Sequence, residues 1–453
     1  MRLNSLSVGN FRGFAERRFQ FHPEFNLLIG ENGSGKTSVL EAAAIAIAAW
    51  LLPFPNTDSR HIRAKDVRRL SEDIEGRYRE LPQFPVRVEA EGVIMDVCDH
   101  GRLSETIVRW ERSLNGTRGK TTQAGAHDLK IAAQDFAFRT LRQDPVILPI
   151  VRYFGAGRLW ESVRSTEGMK LSKVKLADKV DALEQSFKDL ASPFFGYRLS
   201  VDKRCNPADL LNWMATERLI EQDEERPSIA LQTVYGAIRS MMPELRSAHY
   251  NFRLGTLLLT RRDGTVTRFS DLSDGYRNVI AVAADLAIRC VMLNPRLGEN
   301  AAKETPGVVL IDEIDLHLHP KWQQRIVDDL RRTFPQLQFI CTTHSPFVVQ
   351  SLRSGEELIA LDGMSPAQVN NMPIGEVAEG VMQVPETETS ARYDEMKQTA
   401  TEYMQALQDA PMEPGARLEN FKQRLAEKIS PYADNPAYQA FLEMKLLAKT
   451  GGR

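Results

Sequence analysis

Cysteine is scarce in this sequence. There are four in 453 residues, Cys98, Cys205, Cys290 and Cys341, and they are widely scattered. No Cys-x-x-Cys pair or other metal-ligand spacing occurs, so neither a disulfide framework nor a zinc ribbon is indicated, and reduced cytoplasmic thiols are expected. A long hydrophobic run is also missing. The longest, Ala42 to Leu52, stops at Pro53 and is too short for a bilayer core of roughly 30 Å. It reads as a buried helix, and no membrane association is expected. No signal peptide is recognisable before the first strand. Charge of one sign is lacking too. With 58 Lys and Arg against 60 Asp and Glu, the net charge is −2, which argues neither for nor against a nucleic-acid partner, because a basic groove can hide in a balanced total. Internal repeats and low-complexity tracts are absent. What remains is an ordinary soluble composition in a chain long enough for two or three domains.

The chain is organised around Gly30-Glu31-Asn32-Gly33-Ser34-Gly35-Lys36-Thr37. This is a P-loop: glycine, four residues, then Gly-Lys-Thr. Asn26 to Ile29 before it reads as a short buried strand, and the Ala-rich Ser38 to Trp50 after it as a helix. The glycines let backbone N–H groups curl around a polyphosphate without Cβ clashes, and the helix N-terminus points its free N–H groups at the same anion. ATP is the expected ligand of residues Gly30 to Ser38. Lys36 would reach the β- and γ-phosphates and Thr37 would ligate Mg²⁺.

Around this loop the pattern alternates between strand and helix. Arg2 to Val8 and a second segment through Phe19 and Phe21 read as strands flanking the turn Asn10 to Phe14. Val86 to Val97 pairs with Thr106 to Leu114, and Val146 to Tyr153 is a strongly apolar strand. From Ser172 to Ile238 the spacing turns helical, with Leu183, Phe187 and Leu190 on one face. Phe252 to Leu259 and Thr265 to Phe269 suggest a hairpin across Arg262-Asp263-Gly264. Val279 to Leu293 and Lys321 to Arg332 read as helices, and Val308 to Ile311 and Gln338 to Cys341 as buried strands. The order predicts an α/β core with a mainly parallel sheet. After Pro373, two amphipathic helical stretches are expected, one with Tyr393 and Tyr403 and the other with Phe421, separated by Pro411 to Gly415.

Four further motifs follow in a fixed order: Leu272-Ser273-Asp274-Gly275-Tyr276-Arg277-Asn278, the apolar Val308 to Ile311 ending in Asp312-Glu313, Ile314-Asp315-Leu316-His317-Leu318-His319-Pro320, and Thr342-Thr343-His344-Ser345-Pro346. Each alone is weak. Together, behind a P-loop, they resemble the ATPase head of the ABC superfamily in its RecF- and SMC-like branch. In that resemblance Ser273, Asp274 and Gly275 match the signature, with Asp274 where glycine is usual. Asp312 and Glu313 match the Walker B pair, Asp315 the D-loop and His344 the switch histidine. The resemblance implies a mixed-sheet P-loop head with a helical insertion and a C-terminal helical tail. It also implies a head-to-head dimer holding two ATP molecules, each P-loop facing Ser273 and Gly275 of the other copy.

The physical roles follow from that arrangement. Asp312 would hold Mg²⁺ with Thr37, and Glu313 would orient or deprotonate the attacking water. His344 would donate to the γ-phosphate, Asp315 would sense the partner head, and Arg12 would contact nucleotide as in the family. His317 and His319 lack a third ligand nearby and read as loop histidines supporting the D-loop. The Q-loop glutamine of the family has no clear counterpart; Tyr153 to Arg158 is either its place or an ordinary turn. The expected domains are a first head lobe over 1–160, a helical insertion over 161–239, a second lobe over 240–375, and a tail over 376–453 for assembly or partner docking.

The insertion is too short for SMC coiled-coil arms, and no Asp-x-Asp or HNH cluster of a nuclease is present. Pro149 to Trp160 and the compact architecture resemble the ATPases of bacterial anti-phage defence operons, of the Septu and retron-linked type, whose resemblance implies a separately encoded HNH-type nuclease subunit. Two alternatives stay open: a RecF-like repair ATPase acting on DNA, and an ATP-bound assembly scaffold with little turnover.

Overall fold

A computed structural model describes residues 1–74, 77–97, 103–159, 192–362 and 372–382, with 395, 398 and 401. The chain divides into two compact units, Met1–Val377 and Ala378–Arg453. The expected helices around Leu183 and those after Pro373 that carry Tyr393, Tyr403 and Phe421 lie outside the described residues.

The first unit is built on two sheets. Strands β1 (Arg2–Phe11), β2 (Phe14–Gln20), β6 (Val86–Val97) and β7 (Leu103–Leu114) form an antiparallel sheet in the order β2-β1-β6-β7. Strands β3 (Phe25–Ile29), β8 (Ile150–Phe154), β12 (Gly307–Ile311), β13 (Leu337–Thr342) and β14 (Leu358–Ala360) form a sheet in the order β14-β3-β13-β12-β8. Every pairing in this second sheet is parallel. Such a sheet is covered on both faces, which is why β3, β8, β12 and β13 are mainly apolar and buried at every position, the polar Asn26, Arg152, Gln338 and Thr342 included.

Helix α1 (Lys36–Ile47) packs against strands of both sheets. A helix in that position has no solvent side, and its run of Ala, Ile, Val and Leu is buried all round. Two indoles fix its neighbours: Trp110 Nε1 donates to Ala46 O at 2.9 Å, and Trp50 Nε1 to the Tyr197 hydroxyl at 3.0 Å. Helices α2 (His127–Leu141), α3 (Pro207–Asp223) and α4 (Ile229–Met241) surround this core, and the long α5 (Asp274–Leu293) packs on α4 and β8. Asp285 of α5, buried, accepts from Arg152 Nε of β8 and from Arg289 Nε, both at 2.8 Å. A smaller sheet, β11-β10-β9, comprises β9 (Leu245–Asn251), β10 (Thr256–Arg261) and β11 (Val266–Arg268). The short pair β4 (Arg69–Ile74) and β5 (Arg77–Pro82) completes the strands described.

Several boundaries differ from the sequence reading for local reasons. The strand expected from Val146 begins only at Ile150. Pro149 has no N–H to give, and both backbone groups of Leu148 are bonded to the Asn294 side chain instead. The helix expected over Lys321 to Arg332 is two pieces, Pro320–Gln323 and Ile326–Thr333. Gln323 ties the first piece back by donating to Leu318 O at 2.9 Å and accepting from Ser345 Oγ at 2.7 Å. The hairpin partner expected from Phe252 starts at Thr256, because Phe252 to Gly255 make the turn that joins β9 to β10.

Candidate nucleotide site

All five parallel strands deliver a motif at their carboxyl ends, the edge where open α/β sheets place ligands. β3 runs into the P-loop, β12 into Asp312 and Glu313, β13 into Thr343 and His344, β8 into Gly155 to Arg158, and β14 into Asp362. The parallel register sets Leu28 beside Thr342, and Ile311 beside both Cys341 and Phe154. Motifs far apart in sequence therefore emerge side by side.

The P-loop turns on Gly33 and Gly35, which have φ of 91° and 102°. A residue with a Cβ is strained there. Helix α1 starts at Lys36 with no side-chain cap and no acidic residue in its first turn, so its free N–H groups are left for an anion. The Lys36 ammonium is folded onto the loop, donating to Gly30 O at 2.7 Å and Glu31 O at 2.9 Å. Burial holds its pKa below the usual lysine value, while Asp362, Asp312 and Glu313 pull it back up. Two observations show a loop suited to negative charge. Ser34 Oγ is buried without a partner. An Asp362 carboxylate oxygen accepts from the Glu31 N–H at 2.6 Å, so an anionic oxygen already sits on the loop.

Thr37 Oγ1 lies 3.1 Å and 3.3 Å from the two Asp312 carboxylate oxygens. Asp312 is further held by Thr342, whose hydroxyl donates to Oδ1 at 2.7 Å. A hydroxyl and a carboxylate side by side are hard oxygen donors that suit Mg²⁺. The residues present therefore fit both a polyphosphate and its metal. Glu313 is half-buried at φ 50°, and its N–H donates to Thr342 Oγ1 at 2.7 Å. No hydrogen bond or ion pair within the described residues engages its carboxylate, which leaves it free to act on a water. Asp315 accepts from Thr343 Oγ1 at 2.6 Å. His344 is exposed. His319 caps the Pro320 turn by accepting from Lys321 N at 3.3 Å, and no metal-binding cluster of three His, Cys, Asp or Glu occurs among the described residues.

The signature residues and Arg12 complete the predicted set. Ser273 precedes α5, and Asp274 is paired with Arg277. No hydrogen bond or ion pair links Ser273 to the P-loop of its own chain. Gly275 instead abuts the D-loop: a Cβ there would stand 2.4 Å from His317 O. Arg12 donates twice to Asp66 Oδ1 at 2.8 and 3.0 Å, with Glu41 of α1 at 3.7 Å. Against the upward push of burial, Lys203 and Arg60 hold the Glu41 carboxyl down to about 2. Sequence reasoning missed Thr342 as the holder of Asp312 and Glu313, Asn278 and Arg158 as a buried pair, and Asp362 on the P-loop. Of these, Thr342, Asn278 and Arg158 fell within stretches already singled out, and Asp362 did not.

The model of one protein family, described as "AAA domain, putative AbiEii toxin, Type IV TA system", matches residues 25–350. A Retron Vc95 probable ATPase from Vibrio cholerae serotype O1 biovar El Tor is 25% identical over 397 residues, covering 78% of this chain and 72% of the relative. The Septu protein PtuA of Bacillus mycoides (strain KBAB4) is 45% identical over 96 residues, 21% of this chain and 13% of that one. Among solved structures, an SMC head bound to the C-winged helix domain of ScpA aligns with 82% of this chain and 96% of its own at 16% identity, with a TM-score of 0.45. The fold described above rests on strand order and register, not on that likeness. No helix among the described residues is long and apolar enough to cross a membrane.

Proposed function

Since the chain belongs to this AAA-domain family and is an ATPase, we propose that it is the nucleotide-driven subunit of a cytoplasmic bacterial anti-phage defence complex and controls a separately encoded, HNH-type nuclease. The observation that carries the nucleotide reading is the meeting of Lys36, Thr37, Asp312 and Glu313 at one sheet edge, with Thr37 3.1 Å from Asp312. The defence reading is supported by the retron and Septu relatives.

In this reading the loop N–H groups and Lys36 bind the β- and γ-phosphates of ATP, and Thr37 and Asp312 hold Mg²⁺. The metal, when bound, offsets charge on the phosphate oxygens. Glu313 takes a proton from the attacking water, and His344 donates to the γ-phosphate. Asp315 and the signature residues Ser273, Asp274 and Gly275 act across a head-to-head dimer, on the nucleotide held by the other copy. That assignment is supported by the absence of any polar link from Ser273 to its own P-loop. Arg12, paired with Asp66 and with Glu41 of the helix that follows the P-loop, is assigned a contact with the nucleotide, as the family resemblance implies. Residues 1–160 and 240–375 are assigned to the two head lobes, 161–239 to an insertion, and 376–453 to docking.

The test is co-expression with the products of the genes that flank its own, among which this reading expects an HNH-type nuclease. The full chain should co-purify with the nuclease, and Glu313→Gln should change nuclease activity in the complex without dissociating it. A nuclease whose activity ignores both ATP and Glu313→Gln contradicts the regulatory reading.

A further inference from the structure

Arg158, in the turn that leaves β8 at Gly155, is buried, with 4% of its surface exposed. Its guanidinium faces four oxygens on three elements and no carboxylate. Nε donates to Asn278 Oδ1 at 2.8 Å, Nη1 to Gly155 O at 3.1 Å and Asp312 O at 2.9 Å, and Nη2 to Glu313 O at 3.3 Å. A planar fork can satisfy such a set; a lysine ammonium, with three donors at one point, cannot. The absence of a bonded carboxylate leaves burial as the leading influence on this group, and its pKa falls below the usual arginine value.

Two of those oxygens belong to the strained turn that carries the candidate base. Glu313 has φ 50°, a left-handed conformation that a side-chain-bearing residue keeps only when its surroundings hold it. Thr342 Oγ1 holds the Glu313 N–H at 2.7 Å, and Arg158 holds the Glu313 carbonyl from the other end. Asn278 is the second arm. It lies in the first turns of α5, accepts from Arg158, and donates from Nδ2 to Leu316 O at 3.4 Å. Gly275, one turn earlier, presses on His317 O. The start of α5 is thus joined to the turn after β12 through one buried arginine.

We propose that Arg158 is a positioning residue for ATP hydrolysis: with Asn278 it sets the Glu313 backbone according to the position of the signature helix. When Ser273 and Gly275 meet a nucleotide held by another copy, a shift of α5 is passed through Asn278 and Arg158 to the carbonyls of Asp312 and Glu313. Hydrolysis is thereby made conditional on head engagement. This rests on the assignment of Glu313 as base under Proposed function.

The test uses the full chain with Arg158→Lys, Asn278→Ala, their combination, and Glu313→Gln. Two readouts are taken: steady-state ATP turnover, and amide exchange without nucleotide. Each single variant should lower kcat by about tenfold or more while leaving KM nearly unchanged, as expected of a lost alignment. Amides of residues 312–316 should exchange about tenfold faster, those of 337–342 staying protected. The combination should be no worse than the poorer single variant, because both cut one connection. Unchanged kcat together with unchanged exchange at 312–316 overturns the proposal, as does a multiplicative loss in the combination. If Arg158→Lys loosens the whole sheet, Asn278→Ala, which keeps the arginine, decides by the same criteria. Turnover surviving in Glu313→Gln overturns instead the assignment of the base, and exchange at 312–316 still reads the connection directly.

Discussion

The two halves of the nucleotide site are built very differently. On the P-loop half, the groups assigned to phosphate and metal have partners on the same chain: Lys36 on Gly30 and Glu31, Thr37 against Asp312, and Asp362 on the Glu31 N–H. On the signature half, Ser273 caps nothing and Asp274 is occupied only with Arg277 three residues on. The first half is finished within one chain. The second has Gly275 and Asn278 packed on the D-loop. In the proposed dimer its Ser273 end meets the nucleotide of a second copy.

The largest effect should come from the finished half. Lys36→Ala removes the one buried ammonium on the loop, and ATP affinity measured by calorimetry should fall by about two orders of magnitude. Undiminished affinity would move the site elsewhere. Glu313→Gln should leave that affinity intact and lower turnover by about 10² to 10⁴, because an amide keeps the size of the side chain and loses the base. Equal losses of binding and turnover would place Glu313 in binding instead.

A smaller effect should come from the charge cluster behind the loop. Glu41 on α1 is 1% exposed and gathers Arg60, Arg12 and Lys203. Glu41→Gln should destabilise the first unit by about 3 kcal/mol at neutral pH, the cost of uncompensated buried cations. The sign with pH follows from the lowered carboxyl. Its folded value of about 2 lies below the ordinary 4.5, so its contribution is complete above the ordinary value and is lost as pH falls from there toward 2. The difference in Tm between wild type and Glu41→Gln should shrink over that window; a constant difference contradicts the pairing. The smallest effect should come from Asp362, which is exposed. Asp362→Asn removes a carboxylate from the anion position, and ATP affinity should rise by about two- to fivefold. A fall would mean that Asp362 helps to hold the loop open.

Much of the finished half was legible in the sequence because its information is local. The P-loop fixes its own turn, and an apolar strand ending in Asp312-Glu313 announces its own edge. The parallel sheet followed from alternating elements. What could not be read depends on distant partners. Arg158 meets Asn278 and Asp312 across separations of 120 and 154 residues, and Asp362 meets Glu31 across 331. No spacing rule links such pairs. β9 was overlooked because buried positions in Leu245–Asn251 recur every third residue and not every second, which hides a strand from an alternation test. The carboxylates of Asp66 and Glu41 that gather Arg12 were hidden as the distant pairs were, since no spacing links them to its turn.

In the proposed head-to-head dimer, one chain supplies only half of each working site. This division is tested most directly by mixing two inactive variants, Lys36→Ala and Ser273→Arg, and measuring ATP turnover. In a two-fold dimer of one chain of each kind, both defects fall in the same site and the other site is whole. The account predicts that each variant alone is inactive and that an equimolar mixture recovers about a quarter of wild-type turnover, from half the dimers working at one of two sites. A mixture as inactive as its components would contradict it.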